Sequence, residues 1–210
     1  PKPVPEPMEI DGGQITEPPA QKQARRRAQE EVGGRVFPSE IILQPLRFEP
    51  ERHNFQITDE NLGVGGEKTK YQYNVEAIRT LKQIEAEKRL ATPEEQTILS
   101  RYVGWGGISH AFEPNDPKWA KEYAELKELL TPAEYQSAQS TVLNAHYTSP
   151  TVIQAIYNAV EQMDFTPGTV LEPSMGIGNF FGMLPEKLAA AKLYGVELDD
   201  LTGRIAKQLY

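Results

Sequence analysis

The stretch VLEPSMGIGNFFG, Val170 to Gly182, decides the fold. An apolar run ends in Glu172 and Pro173, Gly176 and Gly178 follow at a spacing of two, and Phe180 with Phe181 opens a helix. The pattern is a buried strand, a tight loop and a helix start. Upstream, Pro167 and Gly168 turn the chain into the strand Val170 to Glu172. Downstream, a helix is expected over Asn179 to Ala191, and KLYGVEL supplies a second strand, Leu193 to Glu197. A strand, crossover helix and strand of this length form a βαβ unit whose strands pair in parallel with a right-handed crossover.

Ahead of this unit the periodicity is helical. In AHYTSPTVIQAIYNAV, Ser149 and Pro150 open a helix with Val152, Ile153, Ile156 and Val160 as its apolar stripe. Two further helices carry one start signal: Thr92, Pro93 and Glu95, then Thr131, Pro132 and Glu134, each a capping box with Pro in the first turn. Asn74 is read as the cap of a helix running to about Leu90 with Val75, Ile78, Leu81 and Ile84 inward, and another helix is expected near Lys118 to Leu130. Trp105 within GWGG has the ring to stack a base, but closing a helical hairpin is the commoner use of such an indole. LGVGGEKTK is not a phosphate loop, because Glu67 precedes Lys68 and Leu62 stands where the first glycine belongs; a flexible turn bearing Lys68 and Lys70 is expected instead.

Residues 1–53 are rich in Pro, Glu and Gln and short of apolar surface, so a linker or extended segment is expected, docking by Ile41, Ile42 and Leu43. The cluster Arg25, Arg26 and Arg27 reads as a solvated charge run. The division is therefore 1–53 linker, 54–141 helical subdomain, and 142–210 the βαβ part, an α/β chain. Without an initiating Met, it reads as a piece of a longer protein.

Composition narrows the function. A net charge of -8 argues against a protein that coats duplex DNA, since that affinity comes from Lys and Arg on phosphates. No Cys is present, which removes thiolate metal sites and cysteine nucleophiles and fits a cytoplasmic location; His53, His110 and His146 have no ligand spacing, so no metal is expected. No apolar run approaches a membrane span, and no membrane partner is expected.

Glycine loops serve ligands because backbone without Cβ takes φ > 0 and lets a small molecule approach. Glu197, ending the second strand, is placed to accept hydrogen bonds from ribose hydroxyls. These two features fit NAD as well as S-adenosylmethionine. The dinucleotide fingerprint needs a small residue where Phe181 stands, which disfavours NAD.

The arrangement E-P-x-x-G-x-G-x-F, Glu172 to Phe180, resembles the first motif of the adenine-N6 DNA methyltransferases, in which the opening acid is more often Asp. AHYTSP is similar to that family's cofactor-flanking turn, and YGVELD to its second motif. The segment from Gly65 to Ile108 also resembles the region ahead of the methylase domain in very large methylase-helicase proteins of bacterial mobile elements and phages; together the similarity covers Asn54 to Tyr210. The resemblance implies a truncated Rossmann-like methyltransferase fold of which this chain holds the first βαβ part. It implies S-adenosylmethionine as cofactor and DNA as partner of the parent protein. The implied cofactor-binding residues are Tyr147, Thr148 and Pro150 from the flanking turn. Glu172, Pro173, Ser174, Gly176, Gly178, Asn179 and Phe180 come from the glycine loop, with Glu197 and Leu198 from the second strand end.

No catalytic residue is assigned. The family's acceptor motif, a polar residue followed by Pro-Pro-aromatic, holds the flipped base, and the only Pro-Pro here, Pro18-Pro19, precedes Ala20. These residues alone are expected to be inactive, and two strands without the rest of a sheet are expected to self-associate. A methyltransferase acting on RNA or protein, or a non-catalytic interaction fragment, are the alternatives.

Overall fold

The computed structural model describes residues 10–11, 14–15, 52–166 and 168–210. The chain divides into two compact units, Pro1–Arg47 and Phe48–Tyr210. In the first, β1 (Ile10–Asp11) and β2 (Gln14–Ile15) pair antiparallel, Ile10 opposite Ile15 and Asp11 opposite Gln14. The Arg25–Arg27 cluster, the Ile41–Leu43 patch and the turn residue Pro167 lie outside the described residues.

The second unit opens with α1 (Glu67–Glu87), which buries Tyr71, Val75, Ile78, Leu81 and Ile84 at helical spacing. It starts well before the Asn74 cap expected from local preference. Asn74 instead lies fully buried in mid-helix, its Nδ2 donating to the Gly104 carbonyl (2.5 Å) and its Oδ1 accepting from the Val103 N–H (2.9 Å). The loop that crosses α1 here brings two backbone groups needing partners, and the amide answers both. Lys68 belongs to this helix rather than to a flexible turn: its ammonium lies 3.7 Å above the Trp119 ring and 2.6 Å from Glu122.

Both capping boxes form, Thr92 with Glu95 at the head of α2 (Pro93–Leu99) and Thr131 with Glu134 at the head of α4 (Pro132–Thr141). Between these helices lie a 3-10 turn (Ser109–Phe112) and α3 (Ala120–Leu129). Trp105 is buried rather than offered to a base, edge-on to Phe112 at 5.3 Å and to Tyr71 at 6.3 Å.

In α5 (Pro150–Gln162) Pro150 takes the first helical position after Ser149. The buried stripe is Ile153 and Tyr157 with Val160, packed on Leu188 and Phe180. Val152 and Ile156, expected inward, are 48% and 42% exposed.

β3 (Thr169–Glu172) and β4 (Lys192–Gly195) pair in parallel, Thr169 with Lys192 through Glu172 with Gly195. The second strand stops short of the Glu197 expected from its apolar run, and Val196 and Glu197 enter the following loop. The crossover helix is also interrupted. α6 (Asn179–Gly182) is four residues long, and a 3-10 turn (Glu186–Leu188) follows Pro185, which lacks the N–H needed to continue a helix and pushes Leu184 from helical geometry.

α7 (Asp200–Leu209) closes the unit. Its Leu201, Ile205 and Leu209 join the core formed by α1, α2 and Trp105, each burial contributing about 1.5–3 kcal/mol. Arg204 reaches from α7 to Glu85 of α1 and Glu134 of α4 at 2.6 and 2.8 Å. α7, which follows the sheet, therefore shares a core with the helices that precede it, while Ile153, Tyr157 and Leu188 form a second, smaller cluster. The architecture is a helix-rich mixed α/β unit with a two-stranded parallel sheet. Among the described residues no helix is long and apolar enough to cross a membrane.

Candidate functional site

A parallel pair delivers the loops after both strands to one edge of the sheet. Here they are tied together: Val196 N–H donates to the Glu172 carbonyl at 2.9 Å and Met175 N–H to the Val196 carbonyl at 3.0 Å. The Glu197 carboxylate then bridges the two loops, Oε2 accepting from the Gly176 N–H and Oε1 from the Asp199 N–H, both at 2.9 Å. Asp199 caps α7, its Oδ2 accepting from the Thr202 N–H at 2.9 Å, while its Oδ1 accepts from Ser137 Oγ of α4 at 2.6 Å.

Tyr147 stands against the glycine loop. Gly176 has φ +56°, and a Cβ there would come within 2.6 Å of Tyr147 Cε1; a Cβ on Gly104, at φ +67°, would come within 2.7 Å of Cε2 on the other side. The ring is clasped between two glycines and meets Tyr102 edge-on at 6.4 Å. Burial pushes the Tyr147 phenol well above its ordinary range, and the neighbouring Tyr102 adds to the effect.

These elements enclose a cavity of about 370 Å³. All three motifs reach it. Tyr147 and Thr148 line it from the turn before α5; Glu172, Ser174, Gly176, Asn179 and Phe180 line it from the glycine loop; Glu197 and Leu198 line it from the end of β4. Asn179 also carries a buried Oδ1 with no hydrogen-bond partner among the described residues.

Three residues of the implied set do not line the cavity. Pro150 is buried in the first turn of α5, and Pro173 is exposed in the turn after β3. Gly178 caps α6 at φ +89°, and the space its Cβ would need is filled by the Tyr210 ring and Met175 Cε. Packing against Tyr210 and Met175 by itself favours glycine at this position.

The sequence reading missed a further wall. Ser137, Ser140, Thr141 and Asn144 line the cavity from α4 and the turn after it, and Tyr102, Asp199 and Thr202 complete the floor. The α4 residues recur at i, i+3, i+4 and i+7, opposite the buried Tyr135 and Ala138, a polar stripe visible in the sequence. Nothing local said that the stripe faces a cavity instead of solvent.

Among the described residues the lining holds three carboxylates, Glu172, Glu197 and Asp199, and no Lys or Arg. A phosphate 4 Å from one carboxylate would be repelled by about 4 kcal/mol at an effective dielectric of about 20, so a phosphate-bearing ligand fits poorly. A ligand rich in hydrogen-bond donors, or one carrying positive charge, fits the lining. The volume lies within the roughly 300–1,000 Å³ usual for small-molecule sites. Among the described residues no group of His, Asp or Glu is arranged to hold a metal.

Comparison of the chain with protein-family models, with curated proteins and with solved structures returns no match.

Proposed function

We propose that residues 54–210 form the cofactor-binding part of an S-adenosylmethionine-dependent DNA adenine-N6 methyltransferase, of the kind joined to a helicase, with DNA as partner of the whole protein in the cytoplasm. The observation that carries the reading is one cavity walled by all three motifs and lined, among the described residues, by three carboxylates with no Lys or Arg. S-adenosylmethionine matches it chemically: a sulfonium and an ammonium bring positive charge, and ribose hydroxyls with an exocyclic amine bring donors. When bound, it supplies a methyl group activated for transfer.

The protein's own residues bind and orient. Each Glu197 oxygen accepts one backbone hydrogen bond and keeps a lone pair, which suits the ribose hydroxyls. Glu172 and the unpaired Asn179 Oδ1 are suited to the ammonium end, and Tyr147, buttressed by Gly104 and Gly176, fixes the width of the site. Holding a flipped target base has no candidate here, since no Pro-Pro-aromatic sequence exists in the chain.

The test is a titration of S-adenosylmethionine into the isotope-labelled chain and its Glu197→Ala variant, followed by amide chemical shifts. Saturable shifts around Gly176 and Glu197 are expected, with affinity reduced about 10- to 100-fold in the variant, the range for a hydrogen bond to a charged group. Unchanged affinity sinks the ribose role, and absence of binding sinks the cofactor assignment. With tritiated S-adenosylmethionine and mixed-sequence DNA, these 210 residues alone are expected to transfer no label, because adenine N6 needs hydrogen bonds that localise its lone pair and hold it in line.

A further inference from the structure

The α4 wall is the part of the cavity that no motif accounts for, and its hydrogen bonds give it a definite chemistry. Ser140 Oγ donates its proton to the Ser137 carbonyl at 2.7 Å, and Thr141 Oγ1 donates to the Ala138 carbonyl at 2.7 Å. A hydroxyl has one proton and two lone pairs, so with the proton committed to the helix each oxygen offers the cavity acceptors only. Ser137 also spends its proton, on Asp199. Asn144 adds an amide to the same wall.

The wall's position along the ligand follows from the same bonds. Ser137 is joined to Asp199, whose N–H is joined to Glu197, so α4 is tied to the loop after β4. Arg204 and Lys82 hold it there, both pairing with Glu134 in the first turn of α4 at 2.8 Å.

We propose that Ser140, Thr141 and Asn144 form a subsite for the donor groups of the cofactor's nucleoside half, so that the helical region ahead of the sheet is a working part of the cofactor site. The inference rests on the S-adenosylmethionine reading, in which Glu197 takes the ribose. It assigns ligand contacts to residues outside all three motifs.

The test uses two probes and two variants of the 210-residue chain, read by amide chemical-shift titration. Methylthioadenosine carries the nucleoside half without the amino acid; S-adenosylmethionine carries both. The double variant Ser140→Ala with Thr141→Val is expected to bind both probes more weakly by a similar factor, about two- to tenfold for each hydroxyl removed. Glu172→Gln is expected to weaken S-adenosylmethionine and leave methylthioadenosine unchanged. Because the two substituted side chains sit on a cavity wall and not in the core, the amide spectrum of the free double variant should otherwise match the parent. Wild-type affinity for methylthioadenosine in the double variant, with the parent chain binding both probes, overturns the subsite and leaves the cofactor reading intact. Loss confined to S-adenosylmethionine also overturns it, placing the wall at the methionine end. A parent chain that binds neither probe overturns the cofactor reading and the subsite together.

Discussion

Replacing Asn74 by Ala tests the joint on which the site rests. The amide is fully buried, donates to the Gly104 carbonyl and accepts from the Val103 N–H. Removing it strands a donor and an acceptor, and each unsatisfied buried group costs about 1–3 kcal/mol, so the loss is roughly 2–6 kcal/mol. Against a total stability of about 5–15 kcal/mol for a domain, this is a large fraction. In urea, with a slope of about 2 kcal/mol/M, the midpoint should fall by roughly 1–3 M. Asn74→Asp keeps an acceptor for Val103 but has nothing to donate to Gly104, and should also destabilise. The effect should reach the cavity, because Gly104 packs on the Tyr147 ring and the Gly106 N–H donates to the Ala145 carbonyl at 3.1 Å. A loss below about 1 kcal/mol at unchanged slope would refute the reasoning, showing that the loop finds other partners.

Burial raises the Glu134 carboxyl, but hydrogen bonds from Lys82 and Arg204 outweigh it and bring it from the ordinary 4.5 to about 2. Its folded value is depressed, so its contribution is complete above 4.5 and disappears as pH falls toward 2; stability should decline across that window, and Glu134→Gln should flatten the decline in acid titrations followed by circular dichroism. Gly178→Ala should destabilise by about 2–4 kcal/mol in urea melts, from the positive φ and the overlap with Tyr210; a neutral substitution would mean that Tyr210 moves aside freely. Leu171 and Tyr194, cross-strand partners that are 60% and 45% exposed, should drive concentration-dependent association in sedimentation, reduced by Tyr194→Lys; equal association of both chains would remove the sheet face from the contact.

The capping boxes at Thr92 and Thr131 were legible because every group they use lies within four residues, and the parallel strand pair was legible because each strand is a short apolar run bounded by its own turn signals. Local pattern also singled out the glycine loop and Glu197, and the family resemblance added Tyr147 and Glu172; all of them line one cavity. The sequence was misleading where a residue's local preference lost to a distant partner. Asn74 prefers a helix cap but satisfies backbone groups some thirty positions away. Tertiary structure alone decided that the polar stripe of α4 faces a cavity. That outcome depends on Arg204, Glu85, Glu134, Ser137 and Asp199, far apart in sequence, meeting through charge pairing and hydrogen bonds that form only once α7 has buried Leu201, Ile205 and Leu209. Periodicity reports which face of a helix is polar; what that face looks onto is fixed by how the other elements pack.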